Sequence, residues 1–266
     1  MTGSLSEQLS RIAEAGYDGI DAWMDPRVPD PSAYARQVEQ AGLLLIVAAP
    51  ITTISEIEPK LQGLAEFSPV KINIHSGLDS MTFDEGCTFF EAALEVQSRL
   101  SIPVVHETHR GRLLFTPWVT AAYLERFPEL RINADYSHWV NVCERLPLDQ
   151  SEALALANSR VIHIHGRVGY EEGPQVPDPS ALEYATQLAW HETQWRAIRD
   201  AQRSAGIEVM TFTPEIGKAW GMDPLPSVSV VFTFFFIGFT FGDLSGGFVS
   251  QYLKSRKRAI LAYLAM

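Results

Sequence analysis

Two cysteines, Cys87 and Cys143, are all that the 266 residues contain. That excludes a disulfide scaffold and a cysteine-rich zinc centre, and it suits a reducing cytosol. As ordinary buried thiols the two need no further role. Basic charge is also scarce: 21 Lys and Arg stand against 32 Asp and Glu, a formal net charge of −11. Such a chain repels phosphate backbones, so nucleic acid is not an expected partner, although a local basic pocket for a small anion is compatible with it. The opening stretch MTGSLSEQLSRIAEAG lacks the apolar core of a secretory signal, and a cytoplasmic location is expected. No glycine-rich phosphate loop stands out, which argues mildly against a phosphorylated substrate.

What is present is enough to build a core. With 46% hydrophobic and 20% charged residues the composition is globular, and the length suits one α/β barrel of about 250 residues. From residue 5 to about 215, amphipathic stretches alternate with short runs rich in Val and Ile, the rhythm of a parallel sheet. The runs read as strands are GIDAW from Gly19, LLLIVA from Leu43, VKINIH from Val70, PVVHE from Pro103, RINAD from Arg131, VIHIH from Val161 and IEVMTFT from Ile207. Helices fit between them. One opens on Asp30-Pro31 and closes on Gly42, one opens on Thr116-Pro117, and the longest runs from about Pro179 to Ala205.

A closed barrel of this type needs eight strands, and seven are legible. The expectation is therefore a (β/α)8-type TIM barrel lacking its first strand, with strands 2 to 8 inside residues 1–217 and the missing strand ahead of residue 1. Residues 218–266 form an atypical tail. Its stretch PLPSVSVVFTFFFIGFTFG carries no basic residue and is followed by KSRKR. It reads equally as a membrane segment, as strands filling the vacant barrel position, or as a spliced or frame-shifted end with no evolved role. An edge left open by a missing strand would favour homo-oligomers.

In such barrels chemistry sits where the strands end. Four consecutive strands end on metal-binding groups: Glu107 in VVHETH, Asp135 in INADYSH, His163 and His165 in VIHIHGR, and Glu215 in MTFTPEIG. Strand alternation places His163 with His165, Asn133 with Asp135 and Thr213 with Glu215 on common faces. Carboxylates converging without a cation would repel one another, and a divalent ion removes that conflict. An oxygen-rich set with one imidazole suits Mn²⁺, Mg²⁺ or Co²⁺ somewhat better than a structural Zn²⁺, which also fits. His106, on the face opposite Glu107, is expected to pack outward. His109 and Arg110 read equally as solvated loop or site, His75 and Asn73 as pocket or barrel lining, and Trp23, Trp118 and Trp139 as pocket walls or plain packing. His191, in a long polar helix, is expected to be exposed.

HETHRGR, DYSHW, HIHGRVGYEEGP and TPEIG, in this order, resemble the xylose isomerase-like barrel superfamily, specifically its sugar phosphate isomerases and epimerases. The resemblance spans residues 5 to 217 and stops there. It implies a metal set of Glu107, Asp135, His165 and Glu215, with His165 rather than His163 as the liganding member of the H-x-H pair. It also implies substrate contacts from His138, at the D-x-x-H spacing, and from Arg167, with His163 and His75 as further candidates. The implied activity is metal-assisted isomerisation or epimerisation of a sugar or sugar phosphate through an enediolate, Glu107 and Glu215 exchanging the proton. A hydride shift would need the same site. The alternative is a barrel scaffold without turnover, and a zinc nuclease of the same superfamily fits poorly with so acidic a chain.

Overall fold

The structure, a computed structural model, describes residues 4–24, 30–207 and 210–215. Among these residues seven strands form one parallel sheet in chain order: β1 (Gly19–Trp23), β2 (Leu44–Ile51), β3 (Lys71–Ser76), β4 (Val104–Glu107), β5 (Ile132–Ala134), β6 (Val161–Gly166) and β7 (Thr211–Pro214). Each strand pairs with the next in sequence, which is the order a succession of right-handed crossovers produces. The sheet curls into a nearly closed barrel. Asp21 on β1 reaches His163 and His165 on β6 and Thr213 on β7, so side chains from opposite ends of the strand order meet.

Around the sheet lie α1 (Leu5–Glu14), α2 (Pro31–Gln40), α3 (Ile54–Ala65), α4 (Phe83–Gln97), α5 (Pro117–Arg126), α6 (Ser137–Cys143), α7 (Ser151–Arg160) and α8 (Ala185–Ser204). Their starts follow the sequence signals. Asp30 caps α2 by accepting from the amide of Ala33 at 2.7 Å, and Pro31 takes the first helical position, where no N–H is needed. Thr82 and Glu85 close a reciprocal capping box on α4. Gly42, at φ 73°, supplies the left-handed residue that ends α2. The long helix differs from expectation: a 3-10 turn, Leu182–Tyr184, precedes it and α8 begins only at Ala185.

Strand alternation divides the interior from the outer apolar layer. On β3, Ile72 and Ile74 join a core with Leu61 and Leu64 of α3 and Phe89 and Phe90 of α4. Lys71, Asn73 and His75, on the other face, line the barrel: Lys71 Nζ donates to the carbonyl of Ile162 and to Thr211 Oγ1, each at 2.6 Å. His106 packs outward as expected, bonded to Ser76 Oγ at 2.7 Å and to Gln97 at 2.9 Å beside the Phe90 ring. His191 departs from expectation. It is fully buried, and its Nε2 accepts the amide of Gly169 at 2.8 Å, so the helix turns this one imidazole inward to satisfy a buried loop N–H.

No helix among the described residues is long and apolar enough to cross a membrane. The barrel boundary at 217 and the tail over 218–266 lie outside the described residues.

Candidate metal centre

The strand ends deliver their side chains to one place because each inward-facing position lies within one residue of its strand's end. Glu107 closes β4 and is almost wholly buried. Its Oε2 accepts from Asn73 Nδ2 at 2.6 Å and Asn133 Nδ2 at 3.3 Å, and lies 2.9 Å from His75 Nε2. Burial would raise its carboxyl, but His165 and His75, with the Asn73 amide, hold it well below the ordinary value. Three neighbouring strands thus fix one carboxylate.

Asp135 follows β5 directly. Its backbone N–H donates to Thr108 Oγ1 at 2.9 Å, and its Oδ1 accepts from the amide of Ser137 at 3.2 Å and from the Ser137 hydroxyl. This is a local side-chain turn that launches α6. Second in that helix and three residues beyond Asp135, His138 comes back over it, with Nε2 3.4 Å from Oδ2 and 3.9 Å from Glu107 Oε1. The D-x-x-H spacing therefore has a geometric cause. Burial pushes the His138 imidazole down to about 3, so it is neutral and its Nε2 accepts from Arg167 Nη2 at 2.6 Å.

Arg167 lies deeper in the cluster than a substrate clamp alone requires. One guanidinium nitrogen pairs with Asp135, another with Glu215 Oε1 at 3.1 Å, and Nε donates to Ser137 Oγ at 2.7 Å. Glu215, immediately after β7, is the most open of the acids, its side chain 37% exposed. His165 stands between: Nδ1 is 3.5 Å from Glu107 Oε2 and 3.3 Å from Glu215 Oε2. Burial would lower this imidazole, but Glu107, Asp21 and Glu215 raise it well above the usual histidine value.

Asp135, His165 and Glu215 each offer a donor atom within 4.8 Å of the others, as do Glu107, Asp135 and His138. Three of the four expected ligands thus share one group, and Glu107 joins them through Asp135 and, at 3.5 Å, through His165 Nδ1. His75 touches Glu107 directly, and the His109 ring sits between His75 and His138, with centroids 4.2 and 3.9 Å away, so His109 is not a solvated loop residue. Of Trp23, Trp118 and Trp139, Trp23 stands beside the cluster, edge-on to His75 at 4.8 Å, while Trp139 is buried against Tyr136 and Trp118 is exposed at the start of α5. His163 does not fit a substrate contact. Its side chain has no exposed surface, and its nitrogens face Asp21 Oδ2 at 3.1 Å and Thr211 Oγ1 at 2.8 Å. Asp21 itself was not foreseen. The signal available was a lone acid inside a short strand, on the face opposite Ile20 and Ala22.

No family model matches the sequence, and no curated protein matches it. Solved structures do. The probable 3-DHS dehydratase AsbF of Bacillus anthracis, involved in petrobactin synthesis, aligns with a TM-score of 0.55 at 15% identity, over 81% of this chain and 88% of that one. An L-ribulose 3-epimerase aligns with a TM-score of 0.55 at 15% identity over 94% of both chains. The chain has the parallel β/α barrel fold of these enzymes. A D-psicose 3-epimerase solved in the presence of D-fructose shares this fold at a TM-score of 0.55 and 14% identity, over 83% of this chain and 82% of that one.

The donors fit a divalent cation. Four carboxylates, those of Asp21, Glu107, Asp135 and Glu215, surround His165 and Arg167, and His165 Nδ1 is buried without a hydrogen-bond partner between two carboxylate oxygens. With its value raised, the metal-free ring carries hydrogen on this nitrogen at neutral pH, and a cation entering the gap would displace that proton to take the nitrogen as a ligand.

Two predictions follow from the packing around the cluster. A Cβ on Gly169 would lie 2.6 Å from Ser137 Cα and 2.8 Å from the Ser137 carbonyl, backbone that cannot swing aside. Gly169→Ala is expected to cost about 1–3 kcal/mol and to displace the segment that carries Arg167, read as a lower urea midpoint together with weaker metal binding.

The second concerns acid. Burial pushes His106 and His191 down to about 3, against an unfolded value near 6.5. Between those limits the unfolded chain binds protons that the folded one refuses, so stability falls as pH drops below about 6.5, by up to ~1.4 kcal/mol per pH unit for each histidine. His165, with its raised value, adds slope only above about pH 6.5. Urea unfolding at a series of pH values checks this, and His191→Gln should flatten the acid limb.

Proposed function

We propose that this barrel is a divalent-metal-dependent isomerase or epimerase acting on a small hydroxy-carbonyl sugar. The observation that carries the reading is the placement of Glu107 and Glu215 around His165 Nδ1, 3.5 and 3.3 Å from it, with Asp135 completing the donor set. Glu107, Asp135, His165 and Glu215 would hold the cation, whose contribution when bound is to polarise the substrate carbonyl. Mn²⁺, Mg²⁺, Co²⁺ and Zn²⁺ all suit these donors.

The chain's own groups do the rest. One of the two glutamates takes the proton from the carbon beside the carbonyl, and the C–H electron pair moves into the carbonyl to give an enediolate. The other glutamate, protonated beforehand from solvent, returns that proton to the opposite face of the same carbon for epimerisation; for isomerisation a proton goes to the former carbonyl carbon, and exchange with solvent resets both carboxyls between turnovers. Glu215, at the mouth, is open to exchange with solvent; Glu107, tied down by Asn73, Asn133 and His75, is ionised at rest and so suited to take the proton first. Arg167 and His138, both poised over Asp135, are placed to receive substrate oxygens. Trp23 offers an exposed ring at the rim for the apolar face of a sugar.

A second reading shares the first step. After proton removal, loss of a hydroxyl one carbon further on would make the enzyme a dehydratase, and the similarity to a dehydratase at the same TM-score as the epimerases favours keeping it in view.

The test is a screen of Mn²⁺- and Co²⁺-loaded protein against aldoses, ketoses and cyclic hydroxyketones in D₂O, followed by NMR. An epimer or isomer carrying solvent deuterium supports proton transfer, an isomer without deuterium means a hydride shift, and an enone means dehydration. No turnover of any substrate by metal-loaded protein would leave a scaffold.

A further inference from the structure

Beneath the cluster lies a chain of buried polar groups that the proposed chemistry does not use. Lys71 Nζ donates to Thr211 Oγ1 at 2.6 Å; Thr211 Oγ1 lies 2.8 Å from His163 Nδ1; His163 Nε2 lies 3.1 Å from Asp21 Oδ2; and the same oxygen lies 2.9 Å from His165 Nε2. The path runs from the barrel floor to the candidate ligand. It draws on β3, β7, β6 and β1.

Proton positions along this path follow from donor and acceptor chemistry. Lysine only donates, so Thr211 Oγ1 accepts from it and directs its own hydrogen elsewhere. A carboxylate only accepts, so both nitrogens that face Asp21 Oδ2 must carry hydrogen. His163, with hydrogen on Nε2 and neutral, can take the Thr211 hydrogen on Nδ1. His165 likewise spends its Nε2 hydrogen on Asp21. What remains on a neutral His165 is a bare Nδ1, in the gap between Glu107 and Glu215.

We infer that Asp21 is a positioning residue that fixes His165 as the Nε2–H tautomer and so selects Nδ1 as the metal-binding nitrogen, with His163, Thr211 and Lys71 holding Asp21 in place. The assignment rests on the metal-site reading above. A carboxylate on the distal nitrogen of a metal-binding histidine orients the ring and raises its basicity, and losing one typically costs about 10–100-fold in metal affinity. A neutral amide at position 21 still offers an oxygen to both rings but a weaker one, so the loss should be graded: Asp21→Asn less than Asp21→Ala.

The experiment has two arms on the full chain. In the first, long-range ¹⁵N–¹H spectra of metal-free wild type are recorded at rising pH, and the tautomer is read where the ¹⁵N shifts show that His165, whose value is raised, has lost its charge. The expected result is a His165 with hydrogen on Nε2 and a bare Nδ1, replaced in Asp21→Ala by a mixture of tautomers. A wild-type His165 protonated on Nδ1, or an unchanged tautomer in the variant, overturns the proposal, whether or not any metal binds. In the second, Mn²⁺ and Co²⁺ affinities are measured by calorimetry. A fall of about 10-fold or more in Asp21→Ala, smaller in Asp21→Asn, is expected. Equal affinities in all three proteins overturn the role of Asp21 while leaving the metal site intact. A wild type that binds no metal overturns the metal-site reading alone, since the tautomer arm still decides the proposal. If Asp21→Ala does not fold, the wild-type spectrum and Asp21→Asn carry both arms.

Discussion

Glu215→Gln is expected to lower kcat by roughly 10²–10⁴-fold, the usual range for removing a positioned acid or base. The amide keeps the size of the side chain and an oxygen for the cation, but it cannot accept a proton. Loss of substrate turnover should therefore be accompanied by loss of solvent deuterium uptake, with metal content and the urea midpoint close to wild type. Glu215 is partly exposed and bonded mainly to Arg167 and His165, so the fold has little to lose from the change. Full activity with retained deuterium uptake would remove Glu215 as a base.

Glu107→Gln is expected to cost more, because it acts on binding as well as chemistry. The carboxylate accepts from Asn73 and Asn133 and pairs with His75, all at one oxygen, while His165 approaches the same oxygen at 3.5 Å. A glutamine there must choose. If its carbonyl serves the two asparagines, its NH₂ points at groups that need an acceptor; if it turns, buried donors go unpaired, each costing about 1–3 kcal/mol. The expected outcome is undetectable turnover, loss of stoichiometric Mn²⁺ binding, and a fall of a few kcal/mol in unfolding free energy, on the order of the cost of breaking a buried ion pair. Calorimetric titration with Mn²⁺ and urea unfolding of the same preparation check both halves. Wild-type metal affinity in this variant would mean that Glu107 is structural only.

Much of this architecture was legible before any coordinates. The Val- and Ile-rich runs became strands because parallel strands are covered on both faces, as the fully buried β3 illustrates. Asp30-Pro31 and Thr116-Pro117 marked helix starts because each pairs a side-chain acceptor with a residue that needs no donor. Glu107, Asp135, His165 and Glu215 could be picked out because strand ends repeat along the sequence.

What stayed hidden depends on closure of the sheet. Asp21 is separated from His163 and His165 by 142 and 144 residues, and only the curl of β1 toward β6 and β7 brings them together. The depth of His163 has the same origin, since its position one rung below His165 matters only once Asp21 and Thr211 enclose it. His191 was misjudged for another reason. The surrounding helix is polar, and nothing local announces that a loop amide from Gly169 needs an acceptor there.

The central claim is that one cation is gripped by Glu107, Asp135, His165 and Glu215. Anomalous diffraction from crystals of the full chain loaded with Mn²⁺ tests it most directly. The account predicts a single strong peak bounded by those three carboxylates and by His165 Nδ1. A peak coordinated elsewhere, or none after loading, would contradict it.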